Sequence, residues 1–254
     1  MSLIKTQEEV EILKEAGRRL AVVVKKLEKA VVPGTTTKEL DTLAEKLIRD
    51  GGDTPAFLGY KPAGSHSPFP ATLCASINDE VVHGIPKERI LKEGDIVGLD
   101  LGLTHKGLIA DMAVTAPVGK ISEADRKLIN TTREALRLGI QVVRSGNRMG
   151  AIGNVIEEYA KECGYGVVEA LGGHGVGHKV HEAPFIPNYG DKESGEELKE
   201  GMVLAIEPMI NIGTGEVILD KDGYTYKTKD GKKSAHFEHT IAVTKDGPII
   251  LTVE

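Results

Sequence analysis

Apolar side chains recur every three to four residues in four segments of the chain, which is the spacing of an amphipathic helix. The first two segments open with a threonine followed three residues later by a glutamate. This capping-box pattern satisfies free N–H groups at the start of a helix. We predict helices from Thr6 to before Pro33, from Thr36 to Gly51, from Ser122 to about Arg144, and from Met149 to Cys163.

After the second helix the pattern changes to the alternation of apolar and polar positions that is typical of strands. Ile96–Leu103 and Leu108–Thr115 predict a hairpin with a tight turn at Thr104–Gly107. Elsewhere we predict, in chain order, a loop over the proline-rich residues 53–75, a strand over Ala75–Val82, and short strands with glycine-rich turns from Gly164 onwards.

The hairpin carries one aspartate on each strand. If an even-numbered loop is centred between His105 and Lys106, Asp100 lies directly opposite Asp111, whereas an odd-numbered loop puts them on opposite faces. Directly opposed like charges are destabilising. The face of the two aspartates carries small residues that we expect to leave open space, namely Gly98, Gly102 and Ala113. Two opposed carboxylates on such a surface need a cation, which is the first hypothesis about function.

The two parts of the chain resemble each other. When Gly34 is aligned with Gly146, apolar positions of the second helix match those of the fourth. A duplicated unit of roughly 120 residues explains the match, and chance similarity of amphipathic helices is the alternative. Because no linker separates the parts, we predict one domain, residues 1–254, with pseudo-twofold related halves of about 1–120 and 121–254. Antiparallel strands with helices covering one face make the fold class α+β.

The composition excludes several classes of protein. The 254 residues are 40% hydrophobic and 28% charged, which is ordinary for a globular protein. A net charge of −6 without a basic run argues against nucleic-acid binding. Cys74 and Cys163 form neither a disulfide framework nor a CxxC pair, which favours a reducing compartment. With no recognisable signal peptide and no apolar run approaching roughly 20 residues, we expect a cytoplasmic protein that does not bind membranes.

Three histidines lie among four glycines in the segment LGGHGVGHKVH. His174 and His178 have the spacing of a helical zinc site, but the glycines disfavour a helix there. In an extended strand these two share a face and His181 lies on the other, unless a bulge intervenes. A solvated glycine loop is the alternative, and a dinucleotide-binding loop is a poor match.

Two glutamates belong to apolar strands of the second part, Glu207 in VLAIEPM and Glu238 in AHFEHTIAV. A carboxylate in such a strand is rarely buried unless it is paired or bound to a metal. A salt bridge is the alternative for each acid alone, but suitable Lys or Arg partners are absent nearby in the sequence. His83 ends the segment SINDEVVHG, and a lone histidine after a strand is more often structural than catalytic.

The charges of the acidic residues favour two metal ions. Asp100, Asp111, Glu207 and Glu238 bring four negative charges, which two divalent ions would balance. One neutral imidazole completes a mostly oxygen shell that suits Mn, Fe, Co or Zn. Two ions about 3.5–4 Å apart generate hydroxide near neutral pH and polarise a carbonyl group. The residues alone therefore predict a dinuclear metal hydrolase.

These motifs resemble type I methionine aminopeptidases, a family with the pita-bread fold. The resemblance extends over essentially the whole chain and is carried by IKTQEEVEILKEAG, ASINDEVVHGIP, GDIVGLDLG, ADMAVT, GGHGVGHKVHEAP, AIEPMIN and HFEHTIAVT. It implies two divalent ions bound by Asp100, Asp111, His174, Glu207 and Glu238.

The resemblance also implies roles for other residues. His83 would contact the substrate near the scissile bond, His181 would steady the carbonyl oxygen and the tetrahedral intermediate, and Glu207 would also shuttle a proton. Asn78 and Ser234 match positions that help to hold a monovalent cation. The methionine pocket is expected from Tyr60, Phe69, Cys74, Val180 and Tyr224.

The implied reaction removes the initiator methionine from nascent chains near the ribosome when the second residue is small. The chain departs from the family at three positions, where members often carry Phe for Val180, Trp for Tyr224 and Arg for His178. The loop between Tyr60 and Cys74 is also longer than usual. These departures affect the size and selectivity of the pocket, and they leave the metal chemistry unchanged.

The absence of an N-terminal zinc-binding extension and of a large second-half insertion points to the minimal bacterial-like form, which we expect to be a monomer. One alternative is a proline-directed aminopeptidase or dipeptidase of the same fold, which usually carries a further N-terminal domain. Another is a non-catalytic peptide-binding protein of this fold, which would show degenerate metal ligands, whereas all five are present here.

Overall fold

The computed structural model describes residues 3–62 and 67–254, so residues 63–66 of the predicted loop lie outside the described residues. The four predicted helices are confirmed. Thr6, Thr36 and Ser122 act as N-caps, because each side chain accepts a hydrogen bond from the backbone N–H three residues later. The helices are α1 (Gln7–Ala30), α2 (Thr37–Asp50), α3 (Glu123–Gln141) and α4 (Gly150–Glu162). Among these described helices, none has the length and apolar character needed to cross a membrane.

The described residues form fifteen strands, most of them short. They are β1 (Thr54–Pro55), β2 (Cys74–Ile77), β3 (Glu80–Val82), β4 (Ile96–His105), β5 (Leu108–Pro117), β6 (Gly166–Val167), β7 (Gly172–Gly175), β8 (Glu182–Pro187), β9 (Val203–Ile206), β10 (Met209–Asn211), β11 (Val217–Leu219), β12 (Tyr226–Thr228), β13 (Ser234–His236), β14 (Glu238–Thr244) and β15 (Gly247–Ile250). The predicted strand Ala75–Val82 is instead two strands, because Asn78 adopts a φ of 58° between β2 and β3.

A nine-stranded antiparallel sheet is the centre of the fold. Its strands follow the order β1-β4-β5-β14-β9-β7-β8, with β2 also paired to β4 and β15 to β14. Two three-stranded sheets, β13-β10-β6 and β11-β12-β3, lie beside it. Leu20 and Val24 of α1 belong to the same buried cluster as Leu99 and Leu101 of β4, so the apolar face of the sheet packs against helix. The α+β class is confirmed.

The central hairpin has a register different from the predicted one. Its two-residue loop, Lys106-Gly107, has φ values of 47° and 82°, and positive φ at both positions is typical of a type I′ turn. The loop centre lies one residue further along the chain than predicted, so direct opposition of the aspartates is wrong. They do share a face, as the even-numbered loop requires. The resulting pairs are His105 with Leu108, Gly102 with Asp111, and Asp100 with Ala113.

The open space expected above Gly102 is also absent. A Cβ added to Gly102 would lie 3.0 Å from the ring of Phe57 and 3.1 Å from the Cβ of Ala56. The segment that follows β1 covers this glycine, and the Ala56 N–H donates a hydrogen bond to the Gly102 carbonyl over 3.0 Å. The glycine is therefore required for close approach of a neighbouring segment.

Matched features support the predicted duplication. Gly34 and Gly146 have φ values of 99° and 92°, and their N–H groups donate to the carbonyls of Leu91 and Leu198. Each leucine begins the sequence Leu-Lys-Glu-Gly, and an acidic residue follows each tetrapeptide, Asp100 on β4 in one case and Glu207 directly after β9 in the other. Descent of the two halves from one unit, and their pseudo-twofold relation within a single domain, stay predictions.

Candidate metal centre and active site

The four acidic residues meet on one face of the central sheet. Ala113 on β5 is paired with Asp100 on one side and with Glu238 on the other, so the two carboxylates flank a small side chain. Asp111 lies two residues before Ala113 and therefore on the same face. Glu207 follows the last residue of β9, whose partner on β14 is the residue after Glu238. The register of four strands thus brings the acids together.

His174 completes this cluster from β7. One ligand atom from each of Asp111, His174 and Glu238 lies within 4.8 Å of the others. The His174 Nε2 is 3.4 Å from the Glu207 Oε1. Its Nδ1 is 3.0 Å from the Gly175 carbonyl, so Nδ1–H donates to the backbone and Nε2 is left for a metal.

The carboxylates have too few partners for charged groups in the interior. The side-chain oxygens Asp100 Oδ1 and Glu238 Oε1 are buried and have no hydrogen-bond partner. In the described ranges, none of the four acids forms an ion pair with Lys or Arg, and Glu207 faces only His174 and His236. The salt-bridge alternative is therefore wrong for these residues.

The electrostatics of the cluster fit a bound cation. Burial raises the pKa of all four acids, and repulsion from neighbouring carboxylates adds to the effect at Asp100, Asp111 and Glu238. For Asp111 the raised pKa is about 8. A bound cation would favour the ionised forms and would satisfy the free oxygens. The oxygen-rich donor set with one imidazole fits a divalent metal.

His83 and His181 lie beside the metal ligands. The His181 ring is 4.4 Å from the His174 ring, centroid to centroid, and its Nδ1 is 3.1 Å from the Tyr60 hydroxyl. His83 adopts a φ of 58°, which is uncommon outside glycine. Burial is the main cause that lowers the pKa of both histidines, to about 4 for His83, so both are neutral at pH 7.

Most of the site residues predicted from the sequence line one cavity of about 70 Å³. Phe69 and Tyr224 form an edge-to-face pair with ring centroids 5.2 Å apart, and the Tyr224 hydroxyl donates to the Ser67 carbonyl. The predicted residues that line the cavity are the five metal ligands, His83, His181, Tyr60, Phe69, Cys74, Val180 and Tyr224. Phe57 and Pro62 line it too, and the sequence reasoning did not select them, because nothing distinguishes them from other residues of the loop.

A bulge separates the histidines of the glycine-rich segment. The register shifts between His174 and Gly175, after which the chain turns and brings His181 to His174. His178 lies outside the cavity, with its Nε2 2.6 Å from the Glu9 Oε1. The sharing of a face by His174 and His178, expected for a regular strand, is therefore wrong.

Asn78 and Ser234 contact each other, but they do not line the cavity. The Ser234 N–H donates to the Asn78 carbonyl over 2.8 Å. The Asn78 side chain bonds to Asp95 and to the backbone of Ile96. Their binding of a monovalent cation stays a prediction.

His236 is a site residue that the sequence analysis missed. It is 3% exposed. Its Nε2 lies 3.3 Å from the Glu207 Oε2, whereas the His174 Nε2 approaches the other carboxylate oxygen, Oε1. Asn188 holds the same residue from its backbone, because its side-chain amide donates to the Glu207 carbonyl over 3.0 Å. Strand alternation could have identified His236, since it precedes Glu238 by two residues.

The raised carboxylate pKa values predict how the metal-free protein responds to pH. Asp111 has a pKa of about 8 when folded and an ordinary value of 3.8 when unfolded, so the folded state binds more protons between these values. The free energy of unfolding must therefore fall as pH rises through this range. The histidines with lowered pKa values act in the opposite direction, but only below about pH 6.5. From pH 6.5 to 8 we expect a loss of about 2 kcal/mol for one such group.

Thermal unfolding of chelator-treated protein at pH 6.5, 7.25 and 8 measures this effect, with Mn²⁺-loaded protein as the control. The loaded protein should lose much less stability, because the cation keeps the carboxylates ionised at all three pH values. A midpoint for the metal-free protein that is flat or rises over this range would contradict the electrostatic description of the cluster.

Comparison with known proteins gives a consistent picture. The profile of metallopeptidase family M24 matches residues 11–245. A protein of Aquifex aeolicus named methionine aminopeptidase is 47% identical over 251 residues, which cover 97% of both chains. A protein of Bacillus subtilis named methionine aminopeptidase 1 is 46% identical and covers 99% of both. The crystal structure of methionine aminopeptidase from Thermotoga maritima matches with a TM-score of 0.95 at 42% identity, over 99% of both chains. The predicted pita-bread fold is therefore confirmed.

Proposed function

The chain belongs to metallopeptidase family M24 and acts as a methionine aminopeptidase, and we propose that it removes the initiator methionine from nascent chains with a small second residue by using two divalent metal ions. The observation that carries the metal assignment is the group of four acids around His174, in which Asp100 and Glu238 each have a buried oxygen without a hydrogen-bond partner. Four negative charges are balanced by two divalent cations and only half balanced by one.

We assign Asp100, Asp111, His174, Glu207 and Glu238 as the metal ligands. Mn, Fe, Co and Zn all suit this mostly oxygen set. When bound, the ions supply an electrophile for the scissile carbonyl and a water of lowered pKa. Asn78 and Ser234 are proposed to hold a monovalent cation beside the site.

Three side chains, Glu207, His83 and His181, are proposed to transfer protons or to contact the reacting atoms of the substrate. Glu207 accepts a proton from the attacking water and returns it to the leaving amine as the C–N bond breaks. His236 and His174 contact its two oxygens from different sides and so limit its orientation. His83 contacts the substrate at the scissile bond. His181 donates a hydrogen bond to the oxyanion of the tetrahedral intermediate.

We propose that Tyr60 selects which nitrogen of His181 donates. The Tyr60 hydroxyl lies 3.1 Å from Nδ1, and when it donates to that nitrogen the proton of the neutral ring resides on Nε2. The Nε2–H is then available for the carbonyl oxygen of the substrate. Tyr60 thus acts as a positioning residue as well as a part of the pocket wall.

The methionine side chain is proposed to enter the apolar wall of the cavity, formed by Tyr60, Phe69, Cys74, Val180 and Tyr224. Cys74 on β2 is buried directly opposite Asp100 on β4. Because burial raises the pKa of its thiol, Cys74 presents an uncharged sulfur to the pocket. An unbranched thioether suits such a pocket because methionine adapts to irregular shapes and contacts aromatic rings favourably. We further propose that the protein is a cytoplasmic monomer that acts near the ribosome on emerging chains.

Release of free methionine from the peptide Met-Ala-Ser tests the function. Chelator-treated protein should be inactive. Separate addition of Mn, Fe, Co or Zn then shows which of these metals restores turnover. Leu-Ala-Ser should be a poor substrate because a branched side chain does not fit the pocket, and Leu-Pro-Ser tests the proline-directed alternative. Faster cleavage of Leu-Pro-Ser than of Met-Ala-Ser would contradict the proposal, as would metal-independent release of methionine.

A further inference from the structure

A second cavity of about 480 Å³ adjoins the candidate active site. Both cavities are lined by His83, His174, His181 and Glu207, so they meet where the scissile bond is proposed to lie. The second cavity lacks the residues of the methionine pocket. A substrate whose first side chain fills one cavity must continue from the scissile bond into the other.

Phe185 forms an exposed aromatic rim on this second cavity. It is 57% exposed, the largest value for a bulky apolar residue in residues 3–62 and 67–254. Phe185 on β8 is paired with His174 on β7, and directly paired residues point to the same face of a sheet. The aromatic side chain therefore points to the face from which His174 reaches the site.

Gly172 helps to place the ring of Phe185. A Cβ added to this glycine would lie 2.9 Å from the Cζ of Phe185 and 2.5 Å from the Ile186 carbonyl oxygen. The ring lies against bare backbone, and its opposite side is left available for a ligand. Val82, Leu171 and Met209 contribute further apolar surface to the same cavity.

Apart from the proposed metal ligand Glu207, the acidic residue of this cavity is Glu182, and its charge is already neutralised. Glu182 forms an ion pair with Lys5 over 2.7 Å, and the two side chains are only 9% and 1% exposed. The Lys179 N–H also donates to Glu182 over 2.8 Å. A charged side chain of a substrate would gain little here, whereas an apolar one could bury surface against Phe185.

We propose that Phe185 forms a binding site for the third or fourth residue of the substrate, with a preference for aromatic or large apolar side chains. This inference rests on the proposed peptidase function. An extended peptide advances about 3.3 Å per residue, so the residues just beyond the second one reach the rim of a cavity that begins at the scissile bond. A ring packed against Phe185 should improve kcat/KM by about two- to tenfold.

Tetrapeptide substrates measure this preference. Met-Ala-Phe-Ser or Met-Ala-Ser-Phe should exceed Met-Ala-Ser-Ser in kcat/KM by that factor, and the Phe185→Ala variant should bring the ratio to about one. Phe185→Tyr keeps the aromatic surface and should keep the preference. Ile90→Ala is the matched control, because Ile90 is 55% exposed but lines neither cavity, and it should retain the wild-type ratio.

A binding measurement separates this inference from the proposed function. The chain contains no tryptophan, so the only tryptophan of the Phe185→Trp variant lies at the rim and its emission reports on this position. Binding of the product-like peptide Ala-Phe-Ser should change the emission of this variant. The peptide should bind two- to tenfold more tightly than Ala-Ser-Ser, whether or not the protein cleaves Met-Ala-Ser. Equal affinities and equal kcat/KM values would overturn the inference. Emission that changes with protein concentration in the absence of peptide would also overturn the inference, because it would show that the rim takes part in self-association.

Discussion

The Asp100→Asn variant is expected to lose at least about a thousandfold in kcat/KM for Met-Ala-Ser, which corresponds to about 4 kcal/mol in transition-state stabilisation. Asp100 is buried, and its Oδ1 has no hydrogen-bond partner in the described residues, so its charge is free for a cation. Asparagine has nearly the same shape but removes one of the four negative charges that the cluster offers. Metal content and turnover should therefore fall together.

Metal stoichiometry and turnover in metal-replete buffer measure this loss. Asp53→Asn is a matched control, because Asp53 is another buried aspartate, but it is paired with His105 at 2.7 Å and with Arg19 at 3.3 Å. The control should lower stability while retaining both bound metal and activity. Substantial turnover by Asp100→Asn would argue against a site with two metal ions.

The His181→Ala variant is expected to lose about 10²–10³-fold in kcat, which is typical for removal of one donor to an oxyanion. His181 contacts His174 but contributes no atom to the group of Asp111, His174 and Glu238. Metal affinity should therefore change little, and the loss should appear in the rate at saturating metal. This separation of rate from metal binding distinguishes a substrate-contacting residue from a metal ligand.

Turnover and metal titration on the same preparations measure this separation. His178→Ala removes a histidine of the same segment whose partner is Glu9, so it controls for general damage to the loop. It should reduce stability by roughly 1 kcal/mol or less and keep most of the activity. A His181→Ala protein that lost metal but kept the rate per bound metal would reverse the assignment.

The acid cluster stays ionised near neutral pH only with a compensating charge, and this explains why it is informative. Burial of an ionised carboxylate without a partner costs several kcal/mol, so a fold that keeps four carboxylates together has a functional reason. The same argument made the cluster recognisable in the sequence, because Glu207 and Glu238 stand among apolar neighbours where an uncharged residue would pack better.

Local signals in the sequence were sufficient for the helices. Thr6, Thr36 and Ser122 cap their helices as predicted, because capping depends on side chains within three residues of the cap. The shared face of Asp100 and Asp111 was also predictable, because it requires only an even-numbered loop. The register was not, because it depends on which two residues accept positive φ, and these are Lys106 and Gly107.

Contacts between segments far apart in the chain decided features of the site that local periodicity did not predict. The bulge after His174 brings His181, and not His178, into the site, and no regular strand pattern predicts it. The cover over Gly102 comes from Phe57, which the sequence places in a featureless loop. His236 reaches Glu207 because β13 pairs with β10, where His236 lies opposite Met209, two residues after Glu207.

The sequence by itself determined the helices, the central hairpin and the class of chemistry, and it supplied the proposed donor set, because residue type and short-range spacing specify these. Only the tertiary structure decided which side chains converge. It placed Asp100 and Glu238 on either side of Ala113, directed His181 beside His174, and left the ring of Phe185 exposed next to them. These arrangements depend on strand register, on one bulge and on contacts between residues far apart in the chain, and local sequence patterns carry no direct information about such contacts.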